Sequence, residues 1–205
     1  MKKKTFKLGI TGGIGSGKSL ICNIFSIFGI PVYDADSRAK WLLNNDTSLI
    51  ERVKEHFGAE AYIDEELNKV FIANIVFSDP VQLAALNGMV HPKVDIDYRA
   101  WAEKHNDKPY TLKEAALLFE SGSYKTLDKV INVSASGNTR IRRVVLRDVH
   151  RNEEQAKAII AKQMSDEERK IKADYTINND GTILLIPQVW ELHNKILQLD
   201  TASFS

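Results

Sequence analysis

Residues 9–19 read GITGGIGSGKS, in which Gly12 is followed by four residues and then by Gly17, Lys18 and Ser19. This spacing satisfies the phosphate-loop pattern GxxxxGK[ST], whose chemistry depends on its setting between a strand and a helix. That setting is present. Phe6 to Thr11 is short, apolar and β-branched, and apolar residues recur at helical spacing from Lys18 to Phe28. Glycines let backbone amides turn inward around an anion, the new helix adds its unpaired amides, and a lysine adds charge at the β/γ-phosphates. Ser19 supplies a hydroxyl for Mg²⁺. The loop therefore predicts a nucleotide-binding α/β core, without choosing among ATPases, GTPases and kinases.

The rest of the chain follows that lead. Gly29 is placed to stop the first helix, and IPVYDAD reads as a second strand carrying Asp34 and Asp36 at its carboxyl end. From Ser37 to about His105 the pattern is helical with no strand, the candidates being SLIERVKEHFG, ELNKVFIANIVF and PVQLAALNGMVHPKVDIDYRAWAEKH. Strand signals return in YTLKEAALLFE and KVINVSA, and NTRIRRVVLRDVH reads as a basic helix. Two helices are expected around Glu153 to Gln163 and Asp166 to Ala173. DYTINND then gives a fifth strand, Asn179 to Gly181 a turn, and LLIPQVWELHNKIL a closing helix with Pro187 in its first turn, before a frayed tail, QLDTASFS. Strands alternating with helices imply a mostly parallel sheet covered on both faces.

Composition narrows the function classes. Lysine plus arginine number 28 against 27 aspartate plus glutamate, so net charge gives no general reason to expect nucleic acid or a membrane surface as partner. The single cysteine, Cys22, excludes an intrachain disulfide or a CxxC site and, within SLICNIF, reads as a buried thiol. No stretch approaches the roughly 18 apolar residues of a membrane span, and the basic start MKKKTFKLGITGG is broken by glycines short of signal-peptide length. A soluble, cytoplasmic protein is expected.

Neither an NKxD nor an LSGGQ-like stretch occurs, which argues against a GTPase and a transporter ATPase. What occurs instead is DADSRAK and an arginine helix. Asp34 and Asp36, on an extended segment at the carboxyl edge of a sheet, point to opposite sides; each suits a base or metal-water ligand, and each equally suits the N-cap of a helix starting near Ser37. Arg140, Arg143, Arg147 and Arg151 share a helical face, either solvated or positioned to neutralise a transferred phosphoryl group. His91, before Pro92, reads as a structural histidine or a polar substrate contact. Glu120, at the end of AALLFE, reads as a metal or substrate ligand or a simple cap. Trp41, Trp101 and Trp190 fall at apolar helical positions that suit a core.

LGITGGIGSGKS, GIPVYDAD, NGMVHP, LLFE, TRIRR and ADYTINNDG stand in the order and spacing of the dephospho-coenzyme A kinases, and the chain resembles that family over nearly its whole length. The resemblance implies transfer of the ATP γ-phosphoryl group to the ribose 3′-hydroxyl of dephospho-coenzyme A, with ATP and Mg²⁺ required. It implies a P-loop core of five parallel strands at about 1–36, 106–136 and 174–205, a helical substrate-binding segment at about 37–105 and a lid at about 137–173. Asp36 would be the base, and Gly13, Ile14, Gly15, Ser16, Gly17, Lys18, Ser19 and Leu20 the ATP loop. Arg143 and Arg147 would be the lid arginines, and Asn179 would lie near adenine. Asp34, Lys40, His91 and Glu120 would face the substrate. Leu20, Lys40, Ala116 and Arg140 stand where the family commonly has threonine, arginine, proline and glutamine. Related readings are a nucleoside or nucleoside monophosphate kinase, and a non-catalytic module that senses ATP.

Overall fold

A computed structural model describes residues 5–202 of the protein, with side chains up to Leu199. The chain divides into two compact units, one formed by the residues up to Tyr33 with those from Ala102 onward, the other by Asp34–Trp101.

The first unit is built on a five-stranded parallel sheet. Its strands are β1 (Phe6–Thr11), β2 (Val32–Asp34), β5 (Tyr110–Glu114), β6 (Lys129–Ser134) and β7 (Tyr175–Asn178), in the order β2-β5-β1-β6-β7. β1 is central, with Phe6 to Ile10 in register with Tyr110 to Glu114 on one side and Leu8 to Thr11 with Lys129 to Asn132 on the other. Leu8, Ile10, Tyr110, Leu112, Ile131 and Val133 are buried, giving the nearly continuous apolar strands of a sheet covered on both faces.

Helices α1 (Lys18–Ile27) and α9 (Leu185–Ala202) supply Ile21, Phe25, Val189, Leu192 and Ile196 to the same apolar cluster, which includes Cys22. Pro187 lies in the first turn of α9, where its missing N–H costs no helical bond. α9 runs on to Ala202, so the tail expected to fray is helical that far, while residues 203–205 and the basic start, 1–4, lie outside the described residues. Among the described residues this unit also holds α6 (Gly137–Arg147), α7 (Glu153–Ala161), α8 (Asp166–Lys172) and a 3-10 turn at Ser123–Thr126. Ser136 caps α6, and reciprocal capping boxes, Asn152 with Gln155 and Ser165 with Glu168, start α7 and α8.

The second unit contains α2 (Ala35–Asn45), α3 (Thr47–Phe57), α4 (Lys69–Ser78) and most of α5 (Pro80–Lys104). It is not helical throughout, contrary to the sequence expectation. β3 (Tyr62–Ile63) and β4 (Glu66–Leu67) form an antiparallel hairpin, turned by Asp64 and Glu65 at positive φ. The hairpin is tied to α2 by Tyr62 Oη, which donates to Leu43 O at 2.7 Å, and by Leu67 N, which donates to Asn44 Oδ1 at 2.8 Å. Among the described residues no helix is long and apolar enough to cross a membrane.

Three further expectations are corrected. Asp36 is on the first turn of α2 rather than on a strand, because Asp34 ends β2 and caps α2 at once. Only Tyr110–Glu114 of YTLKEAALLFE is strand; the chain then turns, and Glu120 lies within that turn instead of ending a strand. Trp41 and Trp190 are 47% and 52% exposed instead of core. Trp41 lies under the Arg38 guanidinium, 4.3 Å from its centroid, and Trp190 packs its edge against Phe28 at 5.3 Å.

Candidate active site

The chain leaves β1 toward β2 on one side of the sheet and crosses only after β5 to β6 and β7 on the other. Such a reversal opens a crevice at the carboxyl ends of the strands. The glycine-rich loop emerges there. Gly15 and Gly17 take φ of 76° and 89°, values at which a β-carbon is strained. Space forbids one as well. A β-carbon on Gly15 would fall 2.5 Å from Arg140 O, and one on Gly17 would collide with Asn179 Nδ2. The first turn of α1 carries no acidic side chain to compete with an anion for the positive end of the helix. Lys18 Nζ donates to Gly12 O at 2.9 Å, curling back over the loop.

Elements at the same sheet edge brace this loop. From the end of β7, Asn179 Nδ2 donates to Ser16 O at 2.7 Å, a buried contact. From α6, Arg140 Nε donates to Ile14 O at 3.0 Å and Arg143 Nη1 reaches Gly15 O and Ser16 O at 3.4 Å each. Arg143 Nη2 also meets Asn179 Oδ1 at 3.4 Å. The helix puts these arginines one turn apart, so one face of α6 covers the loop. Arg140 is 5% exposed, and burial, with the neighbouring Arg169 cation, pulls its pKa below the ordinary arginine value. Arg147 is exposed in the last turn of α6. Arg151 is not on the helical face expected for it: α6 ends at Arg147, and Arg151 pairs with Asp148 at 2.7 Å.

Several groups at this edge escaped the sequence reading. Glu114, the last residue of β5, accepts a hydrogen bond from Ser19 Oγ at 3.1 Å. Gln163, between α7 and α8, accepts from both Ile14 N at 2.9 Å and Arg140 Nη2 at 3.0 Å. Asp166 accepts from Asn132 Nδ2, Ser134 Oγ and Lys170 at 2.5–3.1 Å. Burial works against its charge, but those hydrogen bonds outweigh it and hold the carboxyl below its usual range. Arg169, on α8, is buried 3.9 Å from Glu120. Strand periodicity could have singled out Glu114, the polar end of β5; nothing in the charged run DEERKIK marks Arg169 as buried.

The remaining candidates belong to the second unit. Asp34 Oδ1 accepts from Ser37 N at 3.0 Å and its Oδ2 from Ser37 Oγ at 2.5 Å, so its carboxylate is engaged as an N-cap. Asp36 is exposed in the first turn of α2, and Lys40 is exposed one turn further on. His91 and Pro92 are exposed within α5. Arg38 makes a two-pronged pair with Asp97, at 2.9 and 2.6 Å, joining α2 to α5.

A family model described as dephospho-CoA kinase matches residues 6–184. Dephospho-CoA kinase of Bacteroides fragilis is 36% identical over 91% of this chain and 90% of its own, and that of Chlorobium luteolum 38% identical over 94% and 91%. A crystal structure of a Thermus thermophilus protein superposes with TM-score 0.79 at 31% identity, covering 94% of this chain and 98% of that one. Dephospho-CoA kinase from Campylobacter jejuni gives 0.67 at 25% identity, covering 94% and 97%. A phosphate loop braced by Asn179 and two arginines, together with relatives matched over about nine-tenths of both chains, leads to one conclusion: the chain belongs to the dephospho-CoA kinase family.

Proposed function

We propose that the protein transfers the γ-phosphoryl group of ATP to the ribose 3′-hydroxyl of dephospho-coenzyme A, giving coenzyme A and ADP. The observation that carries this reading is the loop itself: amides of Gly13 to Leu20, with Lys18, at the carboxyl end of β1, under the guanidinium groups of Arg140 and Arg143. The division of labour is a core that holds ATP, about 1–36, 106–136 and 174–205, a substrate-binding segment, about 37–105, and a lid, about 137–173.

Lys18 exchanges its bond to Gly12 O for the β/γ-phosphates, and Asn179 fixes the loop and borders adenine. Ser19 Oγ and the Glu114 carboxylate, 3.1 Å apart, would hold Mg²⁺, a hard cation that takes oxygen ligands. When bound, that ion neutralises charge on the phosphate oxygens. Chain connectivity sets Asp36 two residues past the end of β2, and its carboxylate accepts the proton of the attacking 3′-hydroxyl. The new P–O bond forms as the bond from phosphorus to the β,γ-bridging oxygen breaks, and Arg143 and Arg147 neutralise the charge spread over the transferred group. Asp34, Lys40, His91 and Glu120 contribute to the acceptor site. The substrates are small molecules found in the cytoplasm.

An acceptor panel tests the reading. With ATP and Mg²⁺, ADP release is expected with dephospho-coenzyme A and not with adenosine or AMP. Turnover of a nucleoside or a nucleoside monophosphate in its place would reassign the acceptor.

A further inference from the structure

We propose that Arg169 is a further catalytic residue, which grips the terminal phosphoryl group of ATP together with Arg140 on the Gly13 limb of the loop. The inference rests on the kinase reading above and adds a residue to it.

Arg169 follows Asp166, Glu167 and Glu168 on a short helix, a context that reads as solvated surface. It is instead 1% exposed, and Nε, Nη1 and Nη2 have no hydrogen-bond partner among the described residues. Glu120 Oε1, at 3.9 Å, gives it a charge at a distance but no hydrogen bond. A guanidinium has five donors, and burying them unmet is costly unless an anion arrives to take them. A second guanidinium, that of Arg140, lies beside it, and two neighbouring buried cations repel each other.

Both point at one place. A β-carbon built on Gly13 would overlap Arg140 Nη2 and lie 2.9 Å from Arg169 Nη2, so the bare backbone of Gly13 is what lets the two cations reach the loop. The next amide, Ile14 N, donates to Gln163 Oε1, which also accepts from Arg140. An oxygen acceptor is therefore already held where a loop amide and a guanidinium converge. Lys18 and the amides beginning α1 serve the β/γ-phosphates from the helix side, and Arg140 and Arg169 approach the loop separately, at Gly13. The group that fits there is a multiply charged oxyanion, and the terminal phosphoryl of ATP is the one that ADP lacks.

The experiment is calorimetric titration, with Mg²⁺, of ADP and of an ATP analogue whose β,γ-bridge resists cleavage, into wild type, R169M and R169K. In R169M the analogue should bind about tenfold to a hundredfold more weakly and ADP within about twofold of wild type, the loss expected for a charged hydrogen bond. R169K, with the charge but no fork, should fall between. Unliganded R169M should melt no lower than wild type, because it removes a buried charge without hydrogen bonds. Equal weakening of both nucleotides, unchanged binding of both, or a clear fall in the melting temperature of unliganded R169M would each overturn the assignment. Failure of the wild type to bind the analogue would count against the kinase reading itself.

Discussion

Asn179 Nδ2 donates a 2.7 Å hydrogen bond to Ser16 O, tying the residue after β7 to the middle of the phosphate loop across 163 positions of sequence. The bond is buried, and the oxygen of the same amide, Oδ1, accepts from Arg143 Nη2. It links strand, loop and α6, so that the loop keeps its curvature without ligand. Asn179→Ala leaves Ser16 O with only the long 3.4 Å contact from Arg143 Nη1 and should cost about 1–3 kcal/mol in denaturant melts. ATP affinity should fall by about tenfold in titration calorimetry.

Gly15 offers a sharper steric test. At φ 76°, and with Arg140 O 2.5 Å from any β-carbon, alanine pays both backbone strain and a clash with a carbonyl that α6 holds rigid. Gly15→Ala should lose more than about 1 kcal/mol of stability and most ATP binding. Gly29, whose β-carbon would meet nothing within 4 Å, provides the control: its alanine variant carries the φ penalty alone and should keep ATP affinity.

The proposed Mg²⁺ site at Ser19 and Glu114 is testable. Ser19→Ala removes one of its two proposed oxygen ligands while leaving the loop amides in place. The Mg²⁺ concentration for half-maximal activity should rise several-fold, with nucleotide binding in the absence of metal unchanged.

Stability against pH should be governed in part by Tyr110 and His193, which share a 2.6 Å buried hydrogen bond behind the sheet. Burial lowers the pKa of His193 from 6.5, so the unfolded chain binds the extra proton more readily and stability falls as pH drops below about 6.5. Burial raises the pKa of Tyr110 above its ordinary 10.0, so its contribution is complete below that value and is lost as pH rises past it. Melting curves of His193→Phe should show a shallower slope just below pH 6.5, and those of Tyr110→Phe a shallower alkaline one.

Much of this architecture is legible in the residues. The loop declares itself because its glycines, lysine and serine are local in sequence and flanked by clear strand and helix periods; β1 spans Phe6–Thr11 as those periods require. What stays hidden depends on distant partners. The β3–β4 hairpin turns through Asp64 and Glu65 at positive φ, without the Asn-Gly signal of such turns, and its strands have two residues each. AALLFE is apolar because Leu118 and Phe119 are buried, which a turn against a core achieves as well as a strand. Trp41 is shielded by a cation rather than by a core. Arg169 is unreadable for the same reason: its neighbours in sequence, Glu167, Glu168 and Lys170, are charged and exposed, while Gly13 and Glu120 lie beside it from distant parts of the chain.

The central claim is tested most directly by the product formed from ATP, Mg²⁺ and dephospho-coenzyme A, with the phosphorylated position read by mass and phosphorus NMR in wild type and Asp36→Asn. One added phosphate on the ribose 3′-oxygen, formed by wild type and formed about a hundredfold or more slowly by the variant with ATP affinity within about twofold, is the expected result. Phosphate on another atom, no acceptor-dependent product, or full activity in Asp36→Asn would contradict it.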